Sequence, residues 1–203
     1  MSLKALYHEH LQIRLKHAEE ALSRAGFDTL VLGSGEHHTY FSDDQDAPFR
    51  PVPHFAHWCP LQGPHHLLVV TPGQRPKLIR FAPEDFWYEQ ASLEALWGGT
   101  PFWREGFDLV EAPTLEAVWE ALGTPARAAF IGTDRARAEQ AGLALNPEKL
   151  TRHLDWTRST KTAYEVACLE AATESAARGH RAAHSAFLGG ASELEIHHAY
   201  VQA

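Results

Sequence analysis

The 203 residues carry 18 Lys and Arg against 26 Asp and Glu, a net charge of −8, with 44% hydrophobic and 22% charged residues. That is an ordinary composition for a soluble globular protein with a full core. It excludes a phosphate-tracking nucleic-acid surface, since no basic run exceeds Arg135-Ala-Arg137, and a membrane-spanning helix, since no apolar run reaches about 18 residues.

The first element is a helix over 3–25, where Leu3, Leu6, Leu11, Leu15, Ala18, Leu22 and Ala25 recur at helical spacing before Gly26. Charges interrupt it throughout, so it reads as an amphipathic helix rather than a signal peptide. Residues 29–33 (TLVLG) read as a buried strand. Residues 65–71 and 77–82 read as two more, joined across Pro72-Gly73. Trp87, Trp97 and Trp103 fall in an aromatic, irregular segment and read as core and inter-domain packing. A strand at 107–112, a helix at 115–122, a strand at 128–133, a short helix at 135–143 and a helix from Asn146-Pro147 to about Trp156 follow. Strands alternating with short helices predict an α/β sandwich with a mixed sheet.

The stretch Phe41–Pro60 stands apart. It holds adjacent acids (Asp43, Asp44), Arg50, aromatics and prolines at 48, 51, 53 and 60. Each proline lacks a backbone donor, and Pro51 and Pro53 are too close for a helix or a central strand. A connection this long inside a compact domain is generally functional. Asp43 and Asp44 have two readings: a turn or helix cap, or a carboxylate presented to a cation such as a substrate ammonium. Like charges side by side repel, so one caps and one is presented.

From Lys161 to Phe187 the chain is alanine-rich, with no proline and only Gly179 inside. Thr162-Ala-Tyr-Glu165 and Ser192-Glu-Leu-Glu195 are capping boxes opening two helices. The second is still running at Ala203, so residues 1–157 read as a complete α/β domain and 158–203 as a linker and the opening of something larger.

Fourteen histidines invite a metal hypothesis. His180 and His184 have chelating i, i+4 spacing but no third ligand at a predictable distance, and read as a solvated helix face. Glu195-x-x-His198 has the shape of a di-iron pair without its second copy. His8 and His10 point to different helix faces, and His37-His38 and His65-His66 flank strands with their side chains turned apart. The expectation is no metal ligand set and no tight manganese binding. No G-x-S-x-G and no phosphate loop occur. Cys59 and Cys168 lie far apart, which fits a reducing, cytoplasmic setting. Cys168, inside the alanine-rich helix, reads as a small buried hydrophobe.

The sequence resembles bacterial Xaa-Pro dipeptidases (prolidases) and their organophosphorus acid anhydrolase relatives. The residues that carry the resemblance begin with Tyr7-x-x-His10, Ser34-Gly35, Asp43-Asp44, Pro48-Phe49-Arg50, Pro53, Phe55, Trp58 and Pro60. They continue with Pro76-Lys77-Leu78, Asp85-Phe86-Trp87, Phe102-Trp103, Ile131-Gly132, Asn146-Pro147, Arg158, Lys161-Thr162, Glu165, Ala167-Cys168, Gly179-His180, Ser192-Glu193 and Ala199-Tyr200. Tyr88 departs from the histidine common in the family. The resemblance implies a creatinase/prolidase N-terminal domain, with a ribonuclease-H-like mixed sheet flanked by helices, followed by the first two helices of a pita-bread domain. It implies a dinuclear, commonly manganese-dependent hydrolase of dipeptides ending in proline, whose two metal ions are held beyond position 203. By the same resemblance this portion is non-catalytic, walls the active site, supports a homodimer, and lends Asp44 to a neighbouring subunit's substrate pocket. Arg50 has two readings, orienting Asp44 or a plain surface role. Two other readings are a stand-alone binding module and a different pita-bread hydrolase such as aminopeptidase P.

Overall fold

A computed structural model of the chain describes residues 1–41, 44–84 and 99–203. Six strands form one sheet: β1 (Thr29–Gly33), β2 (Leu67–Val70), β3 (Lys77–Phe81), β4 (Asp108–Ala112), β5 (Ala128–Ile131) and β6 (Ala144–Leu145), in the order β4-β3-β2-β1-β5-β6. β1 is antiparallel to β2 and parallel to β5, while β3 is antiparallel to β2 and parallel to β4. The sheet is therefore mixed. β1, β2 and β5 are buried along their whole length, which is why they read as continuous apolar runs rather than alternating ones.

Around the sheet run α1 (Leu3–Ala25), α2 (Pro53–Ala56), α3 (Leu115–Leu122), α4 (Arg135–Gln140) and α5 (Glu148–Thr157), with a 3-10 turn at Phe102–Gly106. Thr114 and Asp134 cap α3 and α4 by accepting from the Ala117 and Arg137 amides. Phe130 sits at the centre of the core, with Val31, Ile79 and Val118. A Cβ on Gly132 would lie 2.6 Å from the Phe130 ring, so glycine there makes room for the ring.

α1 forms where periodicity predicts it, but its buried face differs. Leu3 is exposed, whereas Tyr7, His10 and Arg14 are buried beside Leu11, Ala18 and Leu22. The polar groups are tolerated because they have partners: Tyr7 Oη donates to the Trp58 carbonyl (2.8 Å) and His10 Nε2 to the His57 carbonyl (2.7 Å). Two elements depart from the sequence reading. A short helix, α2, forms inside the proline-rich stretch because Pro53 occupies its first turn, where a missing amide costs nothing. β6 is a two-residue strand, too short to show periodicity.

By contacts the described chain divides into Tyr7–Thr160, which holds the sheet, and Lys161–Ala203 with Met1–Leu6. In the latter, α6 (Ala163–Leu188) and α7 (Glu193–Gln202) both open with complete capping boxes, at Thr162/Glu165 and Ser192/Glu195. Gly179 of α6 lies against the ring and carbonyl of Tyr200, where a Cβ would come within 3.0 Å. Cys168 is exposed rather than buried, on a helix whose one buried residue is Gly179.

Candidate functional site

Three segments converge at one edge of the sheet. β1 and β5 are parallel, so their carboxyl ends lie side by side; β2 is antiparallel to β1, so its amino end joins them. Beyond the carboxyl ends of parallel strands is where α/β sheets form ligand crevices. β1 runs on into Ser34-Gly35-Glu36, β5 into Gly132-Thr133-Asp134, and His65-His66 leads into β2.

This edge anchors the long loop. Ser34 Oγ donates to the Gly63 carbonyl (2.9 Å) and accepts from the His66 amide (3.0 Å). The Ser34 carbonyl takes the Val52 amide (2.8 Å), and the Gly35 carbonyl takes the His65 amide (2.8 Å). Gly35 has φ +111, with Val52 3.4 Å from where a Cβ would stand. The Ser34-Gly35 pair thus ties both ends of the loop to the sheet.

From that base a hairpin rises. The Ala47 amide donates to the His38 carbonyl (2.8 Å) and the Tyr40 amide to the Gln45 carbonyl (3.0 Å). Thr39 and Asp46 form an antiparallel bridge, reinforced by Thr39 Oγ1 donating to Asp46 Oδ1 (2.9 Å). Asp44 is exposed at the tip, alongside Phe41 (98% exposed) and Tyr40 (50%). Arg50 is exposed on the returning strand of the loop. Ser42 and Asp43 lie outside the described residues, and with Asp43 so does the reading that one aspartate caps while the other is presented. Asp85-Phe86-Trp87, Tyr88 and Trp97 also lie outside them.

The loop's last turn is buried. Phe55, Trp58 and Cys59 enter the core, and burial pushes the Cys59 thiol up to about 12, which makes it inert. His66 is buried and neutral: Nε2 donates to the Gln62 carbonyl (2.9 Å) and Nδ1 accepts from the Phe81 amide (3.0 Å), while burial lowers its pKa to about 4.

His65, two residues before β2, is half-buried. It occupies positive φ (+62), its ring meets Phe81 edge-on at 5.4 Å, and its Nδ1 is buried without a hydrogen-bond partner. Glu36, His65 and Asp134 each offer a ligand atom within 4.8 Å of the others. Burial, then the neighbouring Asp134 carboxylate, raises the Glu36 pKa; burial is the main cause lowering that of His65. Sequence reasoning missed this trio because it weighed histidines in pairs along the chain. The signal available was that all three flank the ends of predicted buried strands.

His180 and His184 are exposed, and Glu195 is occupied in its capping box with Ser192. His8 is exposed and His10 buried, on different faces.

Fold and site together define a mixed-sheet α/β domain that carries a projecting, sheet-anchored loop. Escherichia coli aminopeptidase P, solved as an alanine variant, superposes with a TM-score of 0.51 over 93% of this chain and 49% of its own, at 14% identity, which shows a shared fold. Residues 5–156 match the family model described as Xaa-Pro dipeptidase, N-terminal domain, and the chain belongs to that family. It is 40% identical over 203 residues to the Xaa-Pro dipeptidase of Xanthomonas campestris pv. campestris (strain B100), covering 100% of this chain and 45% of the relative. With that of Stenotrophomonas maltophilia (strain R551-3) it shares 39% over 202 residues, covering 98% and 44%. The chain thus spans less than half the length of these relatives.

Proposed function

We propose that the chain is the N-terminal, non-catalytic portion of a metal-dependent Xaa-Pro dipeptidase, acting on dipeptides that end in proline. The observation that carries this reading is the match over 5–156, together with a hairpin that holds Asp44 in solvent on a base tied to the sheet. In this proposal the hairpin tip walls the active site of a second subunit in a homodimer. Asp44 faces the substrate ammonium there and Arg50 orients it. An exposed carboxylate at a loop tip can form a charge-assisted contact with an amine brought to it by a second subunit. The catalytic groups and two divalent ions, manganese by family resemblance, belong to sequence outside these 203 residues. The chain by itself is then inactive, and the setting is the cytoplasm.

The test uses the complete reading frame. Asp44→Ala should lower kcat/KM for a proline dipeptide by about 10- to 100-fold, the effect of losing one charge-assisted hydrogen bond, with metal content unchanged. Arg50→Ala should lower it less. Unchanged kinetics for Asp44→Ala would remove the recognition role, and an absence of dipeptidase activity in the wild type would remove the reading itself.

A further inference from the structure

We infer that Glu36, His65 and Asp134 form a site for one divalent first-row transition ion of the zinc class, tying the end of β1 to the ends of β2 and β5. This departs from the sequence-based expectation that the chain has no ligand set. It is independent of the dipeptidase reading, because it uses residues at the base of the loop rather than at the tip.

Three observations carry it. The first is distance. Ligand atoms sharing an ion at about 2.0–2.2 Å stand roughly 3.5 Å apart in a tetrahedral shell. The three groups here already lie within 4.8 Å of one another, so modest side-chain rotation closes the shell. The second is chemistry. One imidazole nitrogen and two carboxylates suit zinc or manganese rather than calcium, which takes oxygen ligands alone. The third is the histidine. Its Nδ1 is buried and makes no hydrogen bond, a costly state for a polar nitrogen unless something else satisfies it. His65 is also held at φ +62, fixed there by its amide's bond to the Gly35 carbonyl.

The electrostatics agree. Partial burial, then repulsion from Asp134, raises the Glu36 pKa; a bound cation would offset that repulsion. Asp134 is buried, and its Oδ1 meets the Arg137 amide at 3.4 Å, which orients the carboxyl group as a supporting hydrogen bond would. Arg137, whose charge acts on Glu36 and His65, directs its guanidinium to Glu116 of α3, 3.8 Å away. The ion's role is structural. Three protein ligands from three segments would fix the strand ends from which the hairpin rises.

The experiment is zinc titration of the 203-residue chain by calorimetry, with cobalt substitution read by absorption. The expected result is one equivalent bound and a raised melting temperature. His65→Asn keeps a residue tolerant of positive φ, and Asp134→Asn keeps the helix cap. Each should weaken zinc by at least about 10- to 100-fold. Glu36→Gln should do the same, and because Glu36 is exposed this variant folds and keeps the test decisive. Binding should persist in a variant combining Cys168→Ser, His180→Ala and His184→Ala. No saturable uptake by the wild type would overturn the inference. So would binding that survives Glu36→Gln, or binding lost only in the triple variant.

Discussion

At the scale of single residues, the buried histidine His66 gives the sharpest expectation. It donates to Gln62 and accepts from Phe81, so its neutral form alone satisfies both partners. With a folded pKa of about 4 against an unfolded value of about 6.5, the unfolded chain binds the extra proton first. The stability it contributes is therefore intact above about pH 6.5 and is lost as pH falls toward 4, to a total of order 3 kcal/mol. His54 and His65, whose pKa values are also lowered mainly by burial, act in the same direction. Urea unfolding at intervals across that window should show a shallower pH slope for His66→Gln than for the wild type. Equal slopes would mean that His66 does not carry the effect. The sequence hinted at this residue only as half of a His65-His66 pair flanking a strand. Which histidine turned inward depended on register, which periodicity leaves open in a continuous apolar run.

At the scale of elements, the connection from β5 to α5 shows how a motif becomes geometry. Asn146 Oδ1 accepts from the Gly132 amide (3.1 Å) and its Nδ2 donates to the Gly132 carbonyl (3.2 Å), so the side chain continues the ladder that β6 leaves off. The residue sits at φ +41, and Pro147 then leads into α5. Asn146→Ala should cost about 2–4 kcal/mol, combining two lost hydrogen bonds with an unfavourable backbone region. Asn146→Gly should recover about 1 kcal/mol of that, and chemical denaturation of both variants checks it; a glycine variant no better than alanine would discount the backbone share. Most long elements were legible in the sequence, since α1, β1, α3 and the two capping-box helices each had a period or a cap. What escaped was short or non-local. Four residues of α2 and two of β6 carry no period, and the face α1 buries was fixed by carbonyls fifty residues away. The trio of Glu36, His65 and Asp134 depends on three strands pairing, which no local pattern records.

At the scale of the whole molecule, protection against exchange should be uneven. β1, β2 and β5 are buried throughout, and their amides lie in a ladder shared by four or more strands. α6 runs for 26 residues, yet Gly179 is its one fully buried residue, and Leu169, Phe187 and Leu188 are more than half exposed. Helices of this kind draw most of their stability from a packed apolar face rather than from propensity or caps. Capping boxes of about 1 kcal/mol each set where α6 and α7 begin but cannot hold them against fraying. In hydrogen exchange of the 203-residue chain, amides of β1 and β5 should open only with global unfolding. Those of 163–202 should open by local fluctuations several kcal/mol less costly. Leu188 and Val201 should accordingly be early sites of proteolysis, while Phe130 survives until the sheet unfolds. Protection in α6 equal to that in β1 would show that the helix pair is held by more than its caps and the Gly179–Tyr200 contact. A partner surface that covers α6 should raise protection there and leave the β1 and β5 amides unchanged.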